Sequence, residues 1–393
     1  MSSAERAGLR TKGNVPTLRF PEFKDEWDKD RVRNLFTMNV GGDIDKANVS
    51  SIQTDEFKYP VIANALSNDG IYGYTSEYKD DCPSITVTGR GDVGLAKYRD
   101  YPLFPIVRLL VLHSKGKIDC RFGEHAINCI KKYEESTGVP QLTAPQLGAY
   151  SISFPNLTEQ AKIGAFLKLI DDRIATQIRI IEKLQSLMKG LNDYLQDSVP
   201  LSYSLSFSDI GEDYSGLSGK SAEDFGSGKP YITYVSIYAN NFVEDDCCGK
   251  VSVKRDEKQN VVQKGDMLFT LSSETPEEVC YGAVYSGNST ETYLNSFCFG
   301  VRNTEGKVFS PYMAYFFNSN RFRREVYPLA QGSTRFNLQK SDFLQKHFSY
   351  PSIDDQHRIF EILNAYDNKL KVENQILVHY QHQKEFLLRN LFI

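Results

Sequence analysis

No run of about 18 apolar residues occurs in the 393-residue sequence, so no membrane-spanning helix is expected from it. Cysteine is sparse and unpaired in pattern. Cys82, Cys120, Cys129, Cys247, Cys248, Cys280 and Cys298 form no CxxC pair, and their number is odd. With no apolar leader in MSSAERAGLRTKGN, this excludes a disulfide framework and reads as a reduced, cytoplasmic chain. An excess of positive charge is also missing: 46 Lys and Arg against 50 Asp and Glu leave a net charge of −4. That excludes a grip on nucleic acid by bulk charge and leaves only local patches.

Catalytic signatures are absent too. GLSGKS, at Gly216 to Ser221, has Tyr214 where a phosphate loop needs its first glycine. His379 and His382 are three apart on a helical pattern but have no Cys or carboxylate partner in view, so a solvated helix face explains them. The adjacent Cys247 and Cys248 cannot both enter one conventional site. There is no GxSxG, no HExxH, no glycine-rich fingerprint between a strand and a helix, and no [DN]PP[YF] of an adenine methyltransferase. The chain is therefore not expected to be an enzyme in itself, and it shows no metal site.

What is present is a duplication. PNLTEQAKIGAFLKLIDDRI, from Pro155, and PSIDDQHRIFEILNAYDNKL, from Pro351, align without a gap at an offset of 196 residues. Pro155 meets Pro351, Gln160 meets Gln356 and Asp171 meets Asp367. Each copy continues as a helix whose apolar positions alternate four and three apart, the seam of a coiled coil. In the first they are Ile163, Leu167, Ile170, Ile174, Gln177, Ile181, Leu184, Met188, Leu191 and Leu195. In the second they are Ile359, Leu363, Tyr366, Leu370, Glu373, Leu377, Tyr380, Lys384, Leu387 and Leu391. Gln177 and Glu373 are equivalent polar interruptions near mid-helix, and such residues fix register at some cost in stability. Antiparallel pairing about a pseudo-two-fold and parallel pairing in register both bring them together; pseudo-symmetric halves favour the former. The plain alternative leaves Glu373 and Lys384 at a wet margin of the seam. Thr158 is the expected N-cap of the first helix, and Pro200 ends it.

Ahead of each helix lie short β-like runs broken by turn residues. YPVIAN, IYGY, SITVTGR and PIVRLLVLH read as strands in the first globule. YITYVSIYANNFVE, VSVKRDE, KGDMLFTL, AVYSG and FCFGVRN do so in the second, with PYMAYFFNSNRFRREVY as one helix. The expected fold is α+β: two β-rich mixed globules alternating with two long helices that pair as an antiparallel coiled coil. Boundaries fall at 1–30 for an N-terminal arm, 31–154 and 200–350 for the globules, and 155–199 and 351–393 for the helices. Local cationic and amide side chains supply candidate DNA contacts, since Arg with Asn or Gln can grip phosphates and read base edges. In the first globule these are Arg90, Lys97, Arg99, Lys131 and Lys132. In the second they are Arg321, Arg323, Arg324, Arg335, Asn337 and Lys340. For each of them the plain alternative is an exposed solubilising charge.

Taken in order, PTLRFPEFKDEW, NDGIYGY, TGRGDVG and STGVPQLTAPQLGAYSISFPNLTEQAKIGAFLKLIDDRI, then KGDMLFTLSSETPEEV, GSTRFNLQKSDF and PSIDDQHRIFEIL, resemble the specificity subunit of type I restriction-modification systems. The resemblance covers nearly the whole chain, and its specificity lies in order and double occurrence rather than in any one motif. It implies that Arg31–Phe154 and Pro200–Tyr350 are target recognition domains reading the halves of a split double-stranded DNA target. The loops at Thr137–Leu142 and Ser333–Leu338 would lie near the DNA or the helix bases. The helices would be a spacer and a docking surface for two methyltransferase (M) subunits, with restriction and motor (R) subunits joining them. Those partners would carry S-adenosylmethionine, ATP and Mg; this chain would carry no cofactor. The second helix departs from the first through IDDQ in place of LTEQ and through Lys384, which breaks the symmetry of the two docking surfaces. Ile163 to Leu195 spans about 48 Å at ~1.5 Å per residue, on the order of 14 base pairs at ~3.4 Å each, a ruler between reading heads. A reading from another class, a cytosolic scaffold or adaptor whose globules bind protein, accounts better for the acidic balance.

Overall fold

The computed structural model describes residues 14–130, 141–254 and 256–393. The duplicated stretches are continuous helices, Leu157–Ser198 and Ile353–Leu391. Both start on the same device. Asn156 Oδ1 accepts from the Glu159 N–H at 3.0 Å, and its repeat equivalent Ser352 accepts through Oγ from the Asp355 N–H at 3.2 Å. Each oxygen satisfies an N–H group that a first helical turn leaves open. The cap is thus Asn156, and Thr158 lies inside the first turn.

Along the first helix, Ile163, Leu167, Ile170, Gln177 and Ile181 are buried, and Ile174, Leu184, Met188, Leu191 and Leu195 are partly so. Along the second, Ile359, Leu363, Leu387 and Leu391 are buried, while Leu370, Glu373, Leu377, Tyr380 and Lys384 are half-buried. Tyr366 is the seam position left most open, at 40%.

The chain divides into two compact units, Met1–Ile178 with Gln375–Ile393, and Arg179–Asn374. In the first unit Ile163, Leu167 and Ile170 share one apolar cluster with Leu387 and Leu391, so the start of one helix lies with the end of the other. Rings from three segments close this core: Phe122 lies 5.7 Å from Trp27 and 5.1 Å from Phe392. In the second unit Met188, Leu191 and Leu195 pack against the cluster that holds Ile359 and Leu363. Each unit therefore shows the helices running in opposite directions.

The globules repeat one topology. In the first unit Asp28–Arg31 pairs antiparallel with Ser151–Phe154. A four-stranded antiparallel sheet follows the order Phe36–Val40, Leu110–Ser114, Ser84–Val87, Ala96–Arg99. A second sheet sets Tyr59–Ile62 between antiparallel Ile71–Thr75 and parallel Phe104–Pro105. In the second unit Leu201–Ser206 pairs with His347–Pro351. Its main sheet orders Glu212–Ser215, Cys298–Arg302, Met267–Thr270 and Gly282–Tyr285, extended by Phe242–Val243. Its second sheet sets Phe225–Ile232 between antiparallel Cys248–Val251 and parallel Tyr293–Leu294. Asp28 faces Phe154 as Tyr203 faces Tyr350. Equivalent residues are therefore 175 apart where the globules begin and 196 apart where they end, which makes the second globule the longer.

Four runs differ from the sequence reading. YITYVSIYANNFVE is a strand only to Ile232 and at Phe242–Val243; between them Tyr234–Ala239 is a helix, capped by Thr233 Oγ1 accepting from the Ser236 N–H at 3.0 Å. PIVRLLVLH is two strands separated by a turn at Val107–Arg108. The stretch from Pro311 is two helices, Ser310–Phe316 and Asn320–Val326, because Ser319 Oγ caps the second by accepting from the Phe322 N–H. The strand in VSVKRDE ends at Val251.

Each globule is tied to the first turn of a helix by a buried glutamine. Gln160 Oε1 accepts from the Asp119 N–H at 2.9 Å, and its Nε2 donates to Pro155 O at 2.7 Å and Lys117 O at 3.0 Å. Gln356 Oε1 accepts from the Phe309 N–H at 2.8 Å, and its Nε2 donates to Pro351 O at 3.0 Å and to the Tyr203 hydroxyl. Asp119 and Phe309 are themselves the N-cap residues of Cys120–Asn128 and Ser310–Phe316. Buried amides are retained where every group finds a partner, and here both do.

Candidate nucleic-acid interface

The loop after Ser84–Val87 in the first globule and the one after Met267–Thr270 in the second are tethered in the same way. In the first unit the loop is TGRGDVG, residues 88–94. Gly89 O accepts from the Leu142 N–H at 2.9 Å, and Arg90 bridges to Gln141. In the second, Leu271 O accepts from the Leu338 N–H at 2.8 Å, and Ser272 pairs with Asn337. Gln141 and Asn337 are equivalent in the repeat. Gly89 is required by close approach, since a Cβ there would lie 2.9 Å from Arg108 O and 3.0 Å from Leu142 O. Asn64 ties the neighbouring loops together: its Oδ1 accepts from the Gly89 N–H at 2.7 Å and its Nδ2 donates to Val107 O at 2.6 Å.

The residues singled out from sequence fall into several environments. Arg90 is half-buried beside Gln141, and Lys97 is exposed and ion-paired with Asp69. Arg99 is 4% exposed and spends its donors internally, on Asp69 Oδ2 at 2.8 Å, Asp69 O at 3.0 Å, the Tyr101 hydroxyl at 2.7 Å and Thr86 Oγ1 at 3.1 Å. Asp69 thus brings Lys97 and Arg99 together. Lys131 and Lys132 lie outside the described residues. Arg321 donates to Ser349 O at 2.8 Å. Arg323 donates to the carbonyls of Cys280, Glu277 and Val279 at 2.8, 2.6 and 2.6 Å and lies over the Tyr281 ring; burial lowers its pKa. Arg324, Arg335 and Asn337 are exposed; Asn337 pairs with Ser272, and Arg335 directly precedes the paired strand Phe336–Leu338. Lys340 is ion-paired with Asp213 at 2.6 Å. Arg99, Arg321 and Arg323 therefore brace the fold, whereas Arg90, Arg335 and Asn337 sit on or beside the paired loop segments.

Two antiparallel helices carrying twice the same β-rich module define a duplicated recognition protein whose modules differ at their loops. Residues 24–186 and 208–379 match the family model described as type I restriction modification DNA specificity domain, once per globule, and the chain belongs to that family. The family is one of specificity domains. The chain is 34% identical over 128 residues to "Putative type I specificity subunit S.MpnORF89P" of Mycoplasma pneumoniae, covering 33% of this chain and 38% of that protein. It is 33% identical over 111 residues to "Putative type I specificity subunit S.MpnORF507P" of the same organism, covering 28% and 31%. The chain thus spans about a third of the length of these curated relatives. Among solved structures, the type I restriction-modification S subunit from M. genitalium matches with a TM-score of 0.59 and 16% identity, covering 96% of this chain and 99% of that one. A structure from work on complex assembly and conformational transition of the type I R-M system matches at 0.56 and 11% identity, over 93% and 97%. At these identities the likeness is one of fold.

The sequence reading missed Gln160 and Gln356, whose repeat equivalence was visible but whose partners were not.

Proposed function

We propose that this chain reads a split double-stranded DNA target, one half with each globule, and directs adenine methylation or cleavage by partner subunits. The observation that carries the reading is the double match to a DNA specificity domain on two globules of one topology with different loop side chains. A single module would read one short sequence; two divergent ones read two, and the gap between them goes unread. The globules are taken as residues 31–154 and 200–350, with 155–199 and 351–393 as spacer helices; the expected arm at 1–30 is corrected at its end, since Trp27 lies in the first core and Asp28–Arg31 forms that globule's first strand.

The helices also carry exposed apolar side chains, Leu187 at 60%, Tyr194 at 68% and Phe386 at 60%. Apolar groups on a polar helix surface suit a protein partner, and two methyltransferase subunits are the partners proposed, with restriction and motor subunits joining them. S-adenosylmethionine, ATP and Mg would act on those subunits. Among the described residues no helix is long and apolar enough to cross a membrane.

The test is single-molecule sequencing of methylated adenines in cells expressing this chain with its methyltransferase partner. A two-part methylated sequence with an unread gap, lost when this chain is omitted, is the expected result. An assembled complex that methylates without any sequence requirement would overturn the proposal.

A further inference from the structure

In each globule a four-residue turn joins the parallel edge strand of the small sheet to the second strand of the main sheet. In the first unit it is Ile106–Leu109, closed by the Leu109 N–H donating to Ile106 O at 3.1 Å. In the second it is Asn295–Cys298, closed by the Cys298 N–H donating to Asn295 O at 3.0 Å. Both turns rest on a glycine at the same point of the sheet. The Gly41 N–H donates to Leu109 O at 2.7 Å and the Gly216 N–H to Cys298 O at 3.1 Å. A Cβ would come within 2.8 Å of Ile106 N in one case and 1.9 Å of Asn295 O in the other. This register makes Arg108 the counterpart of Phe297.

Both side chains are presented to solvent from a firmly held backbone. Val107 and Arg108 have φ of +54° and +61°, the two left-handed positions of a turn that ordinarily takes Asn-Gly. A β-branched residue is sterically disfavoured there. The turn persists because Val107 N–H donates to Gly42 O at 3.0 Å, Arg108 N–H to Gly41 O at 2.9 Å, and Asn64 clamps Val107 O. Core packing does not explain it: Val107 is 45% exposed and Arg108 is also exposed. Strain held at an exposed tip by its surroundings is characteristic of functional loops. Phe297 is 59% exposed, and its own N–H and C=O are fixed by Asn295 Oδ1 and the Leu271 N–H, each at 2.9 Å. With Leu217, Phe225 and Tyr231 it lines a cleft of about 400 Å³.

Resting on the DNA-reading function proposed above, we infer that this turn is the reading tip of both globules. Arg108 hydrogen-bonds a base edge in one half-target, and Phe297 makes apolar contact with a base in the other. Arginine matches guanine O6 and N7 with two parallel donors, and phenylalanine suits a thymine methyl group or an opened base step. One backbone position carrying such different chemistry is what two different half-targets require.

The test enriches duplexes from a random pool with the full chain assembled with its methyltransferase partner, comparing the wild type with Arg108→Ala, Arg108→Lys, Phe297→Ala and the pair Val107→Asn/Arg108→Gly. In the Arg108 variants, preference at one base of one half falls about 10- to 100-fold while the other half is unchanged. Lysine does not restore it, because it lacks the planar fork. Phe297→Ala relaxes the opposite half. The Asn-Gly pair relieves the turn, so it melts higher than wild type while losing the same preference, which separates reading from folding. An unchanged sequence in all variants, or enrichment that falls alike for every duplex, overturns the inference. Wild type that enriches no two-part sequence sinks the DNA-reading proposal itself, a distinguishable failure.

Discussion

Gln160 and Gln356 show how much one buried side chain holds. Replacing Gln160 by Leu strands the Asp119 N–H and the carbonyls of Pro155 and Lys117, and a buried group left unpaired costs about 1–3 kcal/mol. Gln356→Leu strands the Phe309 N–H and Pro351 O in the same way. We expect each variant to lose about 2 kcal/mol in denaturant unfolding, and the pair, sharing no partner, to lose the sum. A midpoint unchanged in either single variant would contradict the clamp. His125 gives a pH test. It is 4% exposed on Cys120–Asn128, near Asp171 and Lys384; burial first and Lys384 second push its pKa down to about 4, against the opposing pull of Asp171. The folded state then holds the imidazole neutral while the unfolded chain takes up a proton below about 6.5. Stability is complete above that pH and falls as pH drops from 6.5 toward 4, by on the order of 2–3 kcal/mol. Melting temperatures of His125→Gln between pH 7 and 4.5 should fall less steeply than those of the wild type; parallel curves would remove His125 from the account. The roles of Gln160, Gln356 and His125 were not legible in the sequence, because each depends on partners more than forty residues away along the chain.

At the scale of elements, legibility followed periodicity. The four-three spacing from Ile163 and from Ile359 marks the faces that are withdrawn from solvent, since one helical stripe is all that a partner helix can cover. Lys384 breaks the apolar pattern and stands half-buried with its ammonium 2.5 Å from Asp171, so a charge at the seam has a partner within its own unit. Periodicity failed where backbone geometry overrode it. PIVRLLVLH is apolar and β-branched as a buried strand should be, yet Val107 and Arg108 turn the chain back because they donate to the Gly42 and Gly41 carbonyls and Val107 O accepts from Asn64. The run through Ser319 failed for a milder reason, a hydroxyl that caps a new helix in place of continuing the old one. The first misreading comes from contacts made by distant segments, the second from a hydrogen bond three residues away.

For the molecule as a whole, the duplication was legible through its ungapped 196-residue offset, while the common topology of the globules was hidden by the shift from 175 to 196 across them. If the helices act as a ruler, inserting one heptad at matched positions in both should lengthen the unread gap by about three base pairs, from ~10.5 Å of added rise. Mapping methylated adenines for the extended variant measures this, and an unchanged gap would count against the ruler.

The first and last strands of each globule, Asp28–Arg31 with Ser151–Phe154 and Leu201–Ser206 with His347–Pro351, are zipped to one another. Whatever chain is looped out between them therefore departs from and returns to the same footing, next to a capped helix. Segments of new length and chemistry fit into that loop wherever they leave in place the contacts that Asp119, Phe122 and Phe309 make with the rods.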